Sequence, residues 1–490
     1  MRIQDKGSNM KNSEQFRNIR DYYKKDLATL RSKLPLPSNL KSQSTRTASI
    51  TIPFDKLETP SFLIDYNLLE DNLKYLKSLA EALNINIILA QKAYSLFDSY
   101  PLIGRYLKGT TSSGLYEARL ADKHMPGKEI HVFSAAFKYE ELKDLYNRAD
   151  YIIFNSMSQL DLYRQLLKNE KGLDPQVAPK IGLRLNPEKS TGETEIYDPA
   201  SKGSRLGITL SSLLDSSGQD MSQAELANYL FNNSDSRAVI SGFHIHTLCE
   251  QNSDALALVL EAAIDKFSFL FEKATWINLG GGHHFTNKDY NIELFAELVL
   301  SFQNLFKGIN LYFEPGEAVV LDCAWLVSEV QDIVKNGDEI AILDASAECH
   351  CPDILEMPYR PRAFLLDNRY INEDNQLKVD IDNNISKSEQ DYELSPEDID
   401  ENINSSQFRY RLGGPSCLAG DYFGYYCFKR KLQKNDRIIF CDMALYSFVK
   451  SNHFNGMIHP DIYTLSQDKI NLVKKYDFSD FEAHLGTPKD

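Results

Sequence analysis

No stretch of this chain is apolar for the roughly 20 residues that a membrane-crossing helix requires. Its first twenty residues (MRIQDKGSNMKNSEQFRNIR) hold no apolar core of the kind a secretory signal carries, so the cytoplasm is the expected location. Cysteine is sparse. Seven residues, an odd number spread over 490, fit reduced thiols better than a disulfide framework. The one Cys/His-rich string, ECHCPD (Cys349, His350, Cys351), lacks a second Cys/His pair at finger-like spacing, and no structural metal is expected. Positive charge is in deficit: 54 Lys and Arg against 69 Asp and Glu give a formal net charge of −15. That balance argues against nucleic acid and anionic membranes as partners and suits a cationic substrate. What remains is globular in composition, 42% hydrophobic, and long enough for two domains or one large domain with additions.

Residues 1–45 are polar, with a short helix expected around Phe16 to Leu34 before a Pro/Ser stretch, and read as a partly disordered extension outside the core. From Thr59 to about Gly316, apolar runs (INIILA, EIHVFS, YIIFN, KIGLRLN, ISGFHIH, TWINLGG, INLYFEPG) alternate with runs whose apolar residues recur every 3.6 positions (NLLEDNLKYLKSLAEAL, ALALVLEAAIDKFSFLFEK). Repeated strand–helix units imply parallel strands, and about eight of them close a barrel. The expectation is an α/β fold: a (β/α)8 TIM-type barrel over residues 46–316, whose first strand is free to join the other domain. After Glu314 short strand-like runs follow without long helices (LVSEVQDIV, EIAILDAS, RAFLLD, FRYRLGGP, DRIIFCD), so residues 317–490 read as an antiparallel, β-barrel-like domain. An acidic insert at about 374–407 interrupts it.

Four motifs recur in a fixed order: Lys92 at the end of INIILAQKAYS, His244 and His246 in GFHIHTLCE, Gly280 to Gly282 in LGGGHHF, and Glu314 before Pro315 and Gly316. They supply an amine, a flat imidazole, an anion-binding turn and a buried carboxylate, the set that a pyridoxal phosphate site uses. Each alone has a plainer reading. Lys92 at a barrel strand end is partly desolvated, which favours imine chemistry, or it snorkels from the rim. Two histidines two apart on a strand share one face and fit metal ligation, a cofactor ring or a hydrogen-bonded core pair. The glycines let N–H groups approach an anion, or serve a tight turn. Glu314 needs a partner inside a barrel, either a pyridinium N–H or an arginine. Further on, GGPSCLAGD places Cys417 and Asp421 in one loop, where an acidic setting makes the thiol a better proton donor than nucleophile.

These strings, with TPSFLID, SSGLYEA, GLRLNP, SRLG, EPGEA, AECHCPDILEMPYRP, CDMALYSF and FNG, resemble the alanine-racemase-fold pyridoxal-phosphate decarboxylases. HIHTLCE and CHCPDILEMPYRP resemble the carboxynorspermidine/carboxyspermidine branch of that family. The resemblance implies pyridoxal 5′-phosphate bound through Lys92, with His246 stacked on its ring and Glu314 at its ring nitrogen. It further implies Arg184 nearby and phosphate contacts from Gly280, Gly281, Gly282 and Tyr446. Cys417 matches a loop cysteine that enters the neighbouring subunit's site, which implies a homodimer with shared sites. At the family's phosphate-contacting serine this chain has Cys249, after Leu248 in place of glycine. Leu418 replaces the glutamate that diaminopimelate decarboxylases use for their substrate. The same region offers Asp344, Glu348, Asp353, Glu356 and Asp421 as carboxylates for the amino groups of a polyamine, or as local loop structure. The implied activity is decarboxylation of a carboxylated polyamine in polyamine biosynthesis. The alternatives are a related diaminopimelate, ornithine or arginine decarboxylase, a non-catalytic homologue, and a metal-dependent barrel hydrolase using His244, His246 and His283 or His284.

Overall fold

The computed structural model describes residues 5–25, 31–40, 54–192, 198–215, 221–357, 359–366, 408–467 and 469–487. The acidic insert at about 374–407 lies outside them. The chain divides into two compact units. One comprises Met1–Leu40 and Asn72–Val319, the other Lys41–Asp71 and Val320–Asp490. Among the described residues no helix is long and apolar enough to cross a membrane.

The first strand, β1 (Ser61–Asp65), belongs to the second unit. The first unit is a closed barrel of eight parallel strands: β2 (Asn86–Ala90), β3 (Gly109–Ser112), β4 (Glu129–Phe133), β5 (Tyr151–Phe154), β6 (Lys180–Arg184), β7 (Ile240–His244), β8 (Trp276–Asn278) and β9 (Asn310–Phe313). Each pairs with the next, and β2 pairs with β9 to close the ring. Closure leaves no exposed strand edge. The chain has two tryptophans, and one fills this barrel. Trp276 is 1% exposed and packs with Ile88, Tyr151, Ile153 and Tyr312. Its indole lies where a Cβ on β6 or β7 would stand: one built on Gly182 or Gly242 meets it at 2.6 Å or 2.2 Å. Those two positions therefore admit only glycine, for want of room.

The helix Asp5–Lys25 is part of the barrel unit. Phe16 is fully buried, and Arg20 reaches Glu297 (2.8 Å) and Glu261 (2.9 Å) on the helices Ile292–Leu305 and Ser253–Phe271. The sequence pattern placed a helix later, at Phe16 to Leu34, and outside the core. Among the described residues, Phe16 and polar contacts from Asn12, Arg17 and Arg20 do the docking, and such a set leaves no amphipathic signature.

The second unit is a nine-stranded mixed sheet: β1, β10 (Ala324–Asn336), β11 (Asp338–Leu343), β12 (Ala363–Leu366), β13 (Phe408–Gly413), β14 (Tyr422–Phe428), β15 (Arg437–Cys441), β16 (Asp461–Ser466) and β17 (Lys469–Lys474). Six pairings are antiparallel and two, β1 with β16 and β11 with β13, are parallel. The long strand β10 organises it, pairing with β1 and β15 along its first half and β11 along its second. The second tryptophan, Trp325, is buried on β10, edge-on to Phe54 at 5.6 Å.

Candidate active site

Parallel strands deliver their C-terminal ends to one face of a barrel, and the polar residues of the four motifs collect there. Lys92 follows β2, Arg184 ends β6, His244 ends β7 with His246 just beyond, Gly280 to Gly282 follow β8, and Glu314 follows β9. Asn278, the last residue of β8, ties two of these together. Its Nδ2 donates to Glu314 Oε1 (2.6 Å) and its Oδ1 accepts from the Gly280 N–H (2.9 Å).

Glu314 is 5% exposed. Burial alone would push its carboxyl up; His244 and the Thr111 hydroxyl, among others, hold it down at about 2. His244 Nε2 lies 3.3 Å from Glu314 Oε2. Burial keeps this imidazole below its ordinary value against the pull of the acid, so a neutral Nε2–H serves the carboxylate. Its Nδ1 is buried with no hydrogen-bond partner among the described residues. His246 is fixed differently. The Gly281 N–H donates to its Nδ1 at 3.0 Å, which places any ring proton of the neutral form on Nε2. Burial and the nearby Lys92 hold it well below the usual histidine range. Arg184 donates to the His246 carbonyl (2.7 Å) and lies 4.6 Å over the Phe133 ring; burial lowers its guanidinium to about 10, leaving it charged at neutral pH.

Lys92 is solvent-accessible. Desolvation by the surrounding protein and the Arg184 charge lower its amine, while Cys249, Glu314 and Glu117 oppose them. A lowered amine has more of the free-base form that attacks a carbonyl.

The glycine turn is packed tightly into the site. Gly280 and Gly282 have φ of 74° and 81°. A Cβ on Gly281 would stand 2.4 Å from the Glu314 carbonyl, and one on Gly282 2.2 Å from the Leu248 carbonyl. Two of the three expected phosphate N–H groups are spent inside the site, Gly280's on Asn278 and Gly281's on His246. The Gly282 N–H has no hydrogen-bond partner among the described residues and is left for an anion.

His244, His246 and Glu314 have donor atoms within 4.8 Å of one another, a spacing that admits a metal ion. The His246 nitrogen nearest the acid, Nδ1 at 4.0 Å, is the one that accepts from Gly281. The donor set fits pyridoxal phosphate better: an amine, a largely buried imidazole, an ionised buried carboxylate and a free N–H beside a glycine turn.

The remaining expected site residues lie in the second unit. Tyr446 is half-buried with φ of 49° in the loop after β15. Cys417 is exposed, its N–H held by Asn455 Oδ1 (2.7 Å). Four of the five carboxylates expected to hold substrate are engaged by this chain. Asp344 accepts from the Ser328 hydroxyl (2.7 Å) and the Glu329 N–H (2.8 Å). Asp421 accepts from the hydroxyls of Ser346 (2.9 Å) and Ser416 (2.6 Å). Lys450 bridges Asp353 (2.8 Å) and Glu356. Glu348 is half-buried, and its carboxylate makes no hydrogen bond or ion pair among the described residues.

Sequence reasoning missed Asn278, Thr111 and the coupling of His244 to Glu314. Asn278 had a signal: it is the polar residue inside an apolar run that ends in glycines, WINLGGG.

A family model described as pyridoxal-dependent decarboxylase, C-terminal sheet domain, matches residues 62–444. Carboxynorspermidine/carboxyspermidine decarboxylase of Campylobacter jejuni is 34% identical over 429 residues, 87% of this chain and 98% of that protein. Carboxyaminopropylagmatine decarboxylase of Synechocystis is 33% identical over 432 residues, 88% of this chain and 96% of that protein. The crystal structure of the Campylobacter jejuni carboxynorspermidine decarboxylase complexed with norspermidine superposes with a TM-score of 0.68 at 32% identity, covering 87% of this chain and all of that one. The barrel-end lysine, histidine and glutamate thus stand in a chain that matches these enzymes over nearly their full length, and the protein belongs to the pyridoxal-dependent decarboxylases, carboxy-lyases built on a TIM-type barrel and a separate sheet domain.

Proposed function

We propose that this enzyme decarboxylates a carboxylated polyamine, carboxynorspermidine or carboxyspermidine, with pyridoxal 5′-phosphate held in the barrel end. The observation that carries the reading is Glu314, buried yet held ionised by Asn278 and His244, in one site with the lowered amine of Lys92.

When bound, the cofactor supplies the electron sink for breaking a carbon–carboxylate bond. Lys92 would hold its carbonyl carbon and give way to the substrate amine. Glu314 would hold a proton on the ring nitrogen by facing it with a carboxylate. His246, its Nδ1 fixed by Gly281, would lay an imidazole against the ring. The Gly282 N–H, with Tyr446, would take the phosphate. Cys417 would return a proton to the carbon that loses its carboxylate, across the interface of a homodimer. Glu348, the acid left without a partner, is the leading candidate for a substrate amino group.

A second reading has a specific support. The carboxyaminopropylagmatine decarboxylase is nearly as similar as the carboxynorspermidine enzyme, and its substrate, by name, carries a guanidinium-type end. A turnover panel of carboxynorspermidine, carboxyspermidine, carboxyaminopropylagmatine, diaminopimelate, ornithine and arginine separates them. The highest kcat/KM is expected on the first two; a preference of tenfold or more for the third moves the assignment. Borohydride reduction and peptide mapping should place the pyridoxyl group on Lys92, and Lys92→Ala should lose the yellow colour and at least about a thousandfold in kcat. Label on another lysine would overturn the site.

A further inference from the structure

We propose that His131 is a positioning residue for Glu314: standing on Glu129 inside the barrel, it shields Glu314 from the Glu129 charge. The inference rests on the reading that Glu314 faces the cofactor's ring nitrogen.

Side chains two apart on a strand share a face, and β4 sends Glu129, His131 and Phe133 into the barrel. Contacts with strands that are not neighbours of β4 show this. The His131 ring lies 4.7 Å from Tyr312 on β9, and Glu129 Oε2 accepts from the Tyr312 hydroxyl at 3.1 Å. Phe133, at the top of the same strand, lies 5.5 Å from His244 on β7. Glu129 thus occupies the lower tier, His131 the middle, and the active site the upper.

His131 is fully buried, stacked on Tyr151 at 4.0 Å and 18°. Its Nε2 lies 3.4 Å from Glu129 Oε2, and its Nδ1 has no hydrogen-bond partner among the described residues. His244 repeats the arrangement one tier up, Nε2 on Glu314 and Nδ1 unpartnered. Two carboxylates in one water-poor barrel repel each other strongly, and two imidazoles stand between them. The other charged and titratable groups around the column are Lys108, 3.5 Å from Glu129 Oε1, Lys180, which donates to the Tyr151 hydroxyl (3.1 Å), and Asp150, which accepts from the Ile130 N–H (2.8 Å). Arg184 stands at the top. His131 is among the groups that hold the Glu314 carboxyl low, after His244. A carboxylate that binds protons weakly leaves the proton on the ring nitrogen it faces.

The test uses holoenzyme carrying cofactor labelled with 15N at the ring nitrogen, in wild type, His131→Phe, His131→Gln, Glu129→Gln, the double variant His131→Phe/Glu129→Gln, and Glu314→Gln. His131→Phe keeps the stacked ring and removes the imidazole. The 15N titration should show about a tenfold loss of proton affinity at the ring nitrogen, with kcat falling and KM held. Adding Glu129→Gln should restore the titration to within about twofold, because the charge that needed shielding is gone. His131→Gln, should the Phe variant not fold, is expected to give the same loss. A wild-type titration in the His131 variants overturns the proposal. So does a double variant as impaired as the single, which is what a purely packing role would give. Glu314→Gln separates the two levels. If it strips the ring proton while the His131 variants do not, only the role of His131 falls; if it leaves the ring proton in place, the reading of Glu314 falls first.

Discussion

Both units of this protein gather acids, and they use them in opposite ways. In the barrel, Glu314 is ringed by donors that stabilise its charge without a full counter-ion: an amide from Asn278, a neutral imidazole from His244 and a hydroxyl from Thr111. A charge held in that way remains able to act on a ligand. In the sheet unit, Asp353 and Glu356 close on the ammonium of Lys450, and Asp344 and Asp421 on hydroxyls and N–H groups of adjoining strands and loops. Those acids are consumed in shaping the chain, except Glu348. The difference teaches that a count of acidic residues near a site says little until each acid's partner is known.

The largest blow to that contrast comes from Glu314→Gln. Removing the ionised acid should slow kcat by about 10²–10³-fold, about 2.7–4 kcal/mol, with the fold retained by circular dichroism; near-wild-type kcat would take Glu314 out of the reaction. Asn278→Ala removes one charge-assisted hydrogen bond to the acid, about 1.5–3 kcal/mol, and should cost about 10- to 100-fold in kcat with little change in KM. In the sheet unit, Glu348→Gln should raise KM about tenfold by losing one charged hydrogen bond, while Asp353→Asn leaves KM alone and lowers stability by about 1–3 kcal/mol in urea unfolding. The reverse pattern would mean that the Lys450 pair opens to receive substrate.

The last effect is on stability alone and leaves the reaction untouched. Burial holds His350 at about 3, far below the ordinary histidine value. A histidine depressed in the folded state contributes stability that is complete above about pH 6.5 and is lost as pH falls toward its folded value. His350→Asn should therefore narrow the gap in urea midpoint between pH 7 and pH 4, an effect on the order of 3 kcal/mol at pH 4. An unchanged gap would show that the other depressed histidines, among them His283 at about 3 in the barrel and His459 at about 4, set the acid limit without His350.

The barrel and its end were legible because Lys92, His246 and Glu314 each close an apolar run, and the chain's own punctuation of glycine and Pro315 marks those ends. Strand β3 was not, since Gly-Thr-Thr-Ser has no apolar signal. It is a strand because its neighbours on both sides demand one, and a Cβ on Gly109 would stand 1.9 Å from the Glu129 carbonyl. The sheet unit was read as antiparallel from adjacent runs. Its two parallel pairings join β1 to β16 and β11 to β13, whose paired residues lie 400 (461 − 61) and 71 (411 − 340) positions apart, and no local pattern records partners so distant. The same blindness hid the Asp353–Lys450 pair, whose members are 97 positions apart.

The place of β1 in the second sheet has a consequence for synthesis. Its neighbours are β10 and β16, so after Asp65 emerges the chain must grow by 259 residues (324 − 65) before the first of them begins. At about 5–20 residues per second that is roughly 13–52 s. During this interval the whole barrel can close behind a five-residue segment, SFLID, that every described position shows buried in the finished protein. The ribosome thus exposes a short, greasy, unpaired strand for most of the time it spends on this protein, and the nascent chain must be kept from self-association there. A chaperone that binds short apolar segments would find its first docking point at Ser61–Asp65.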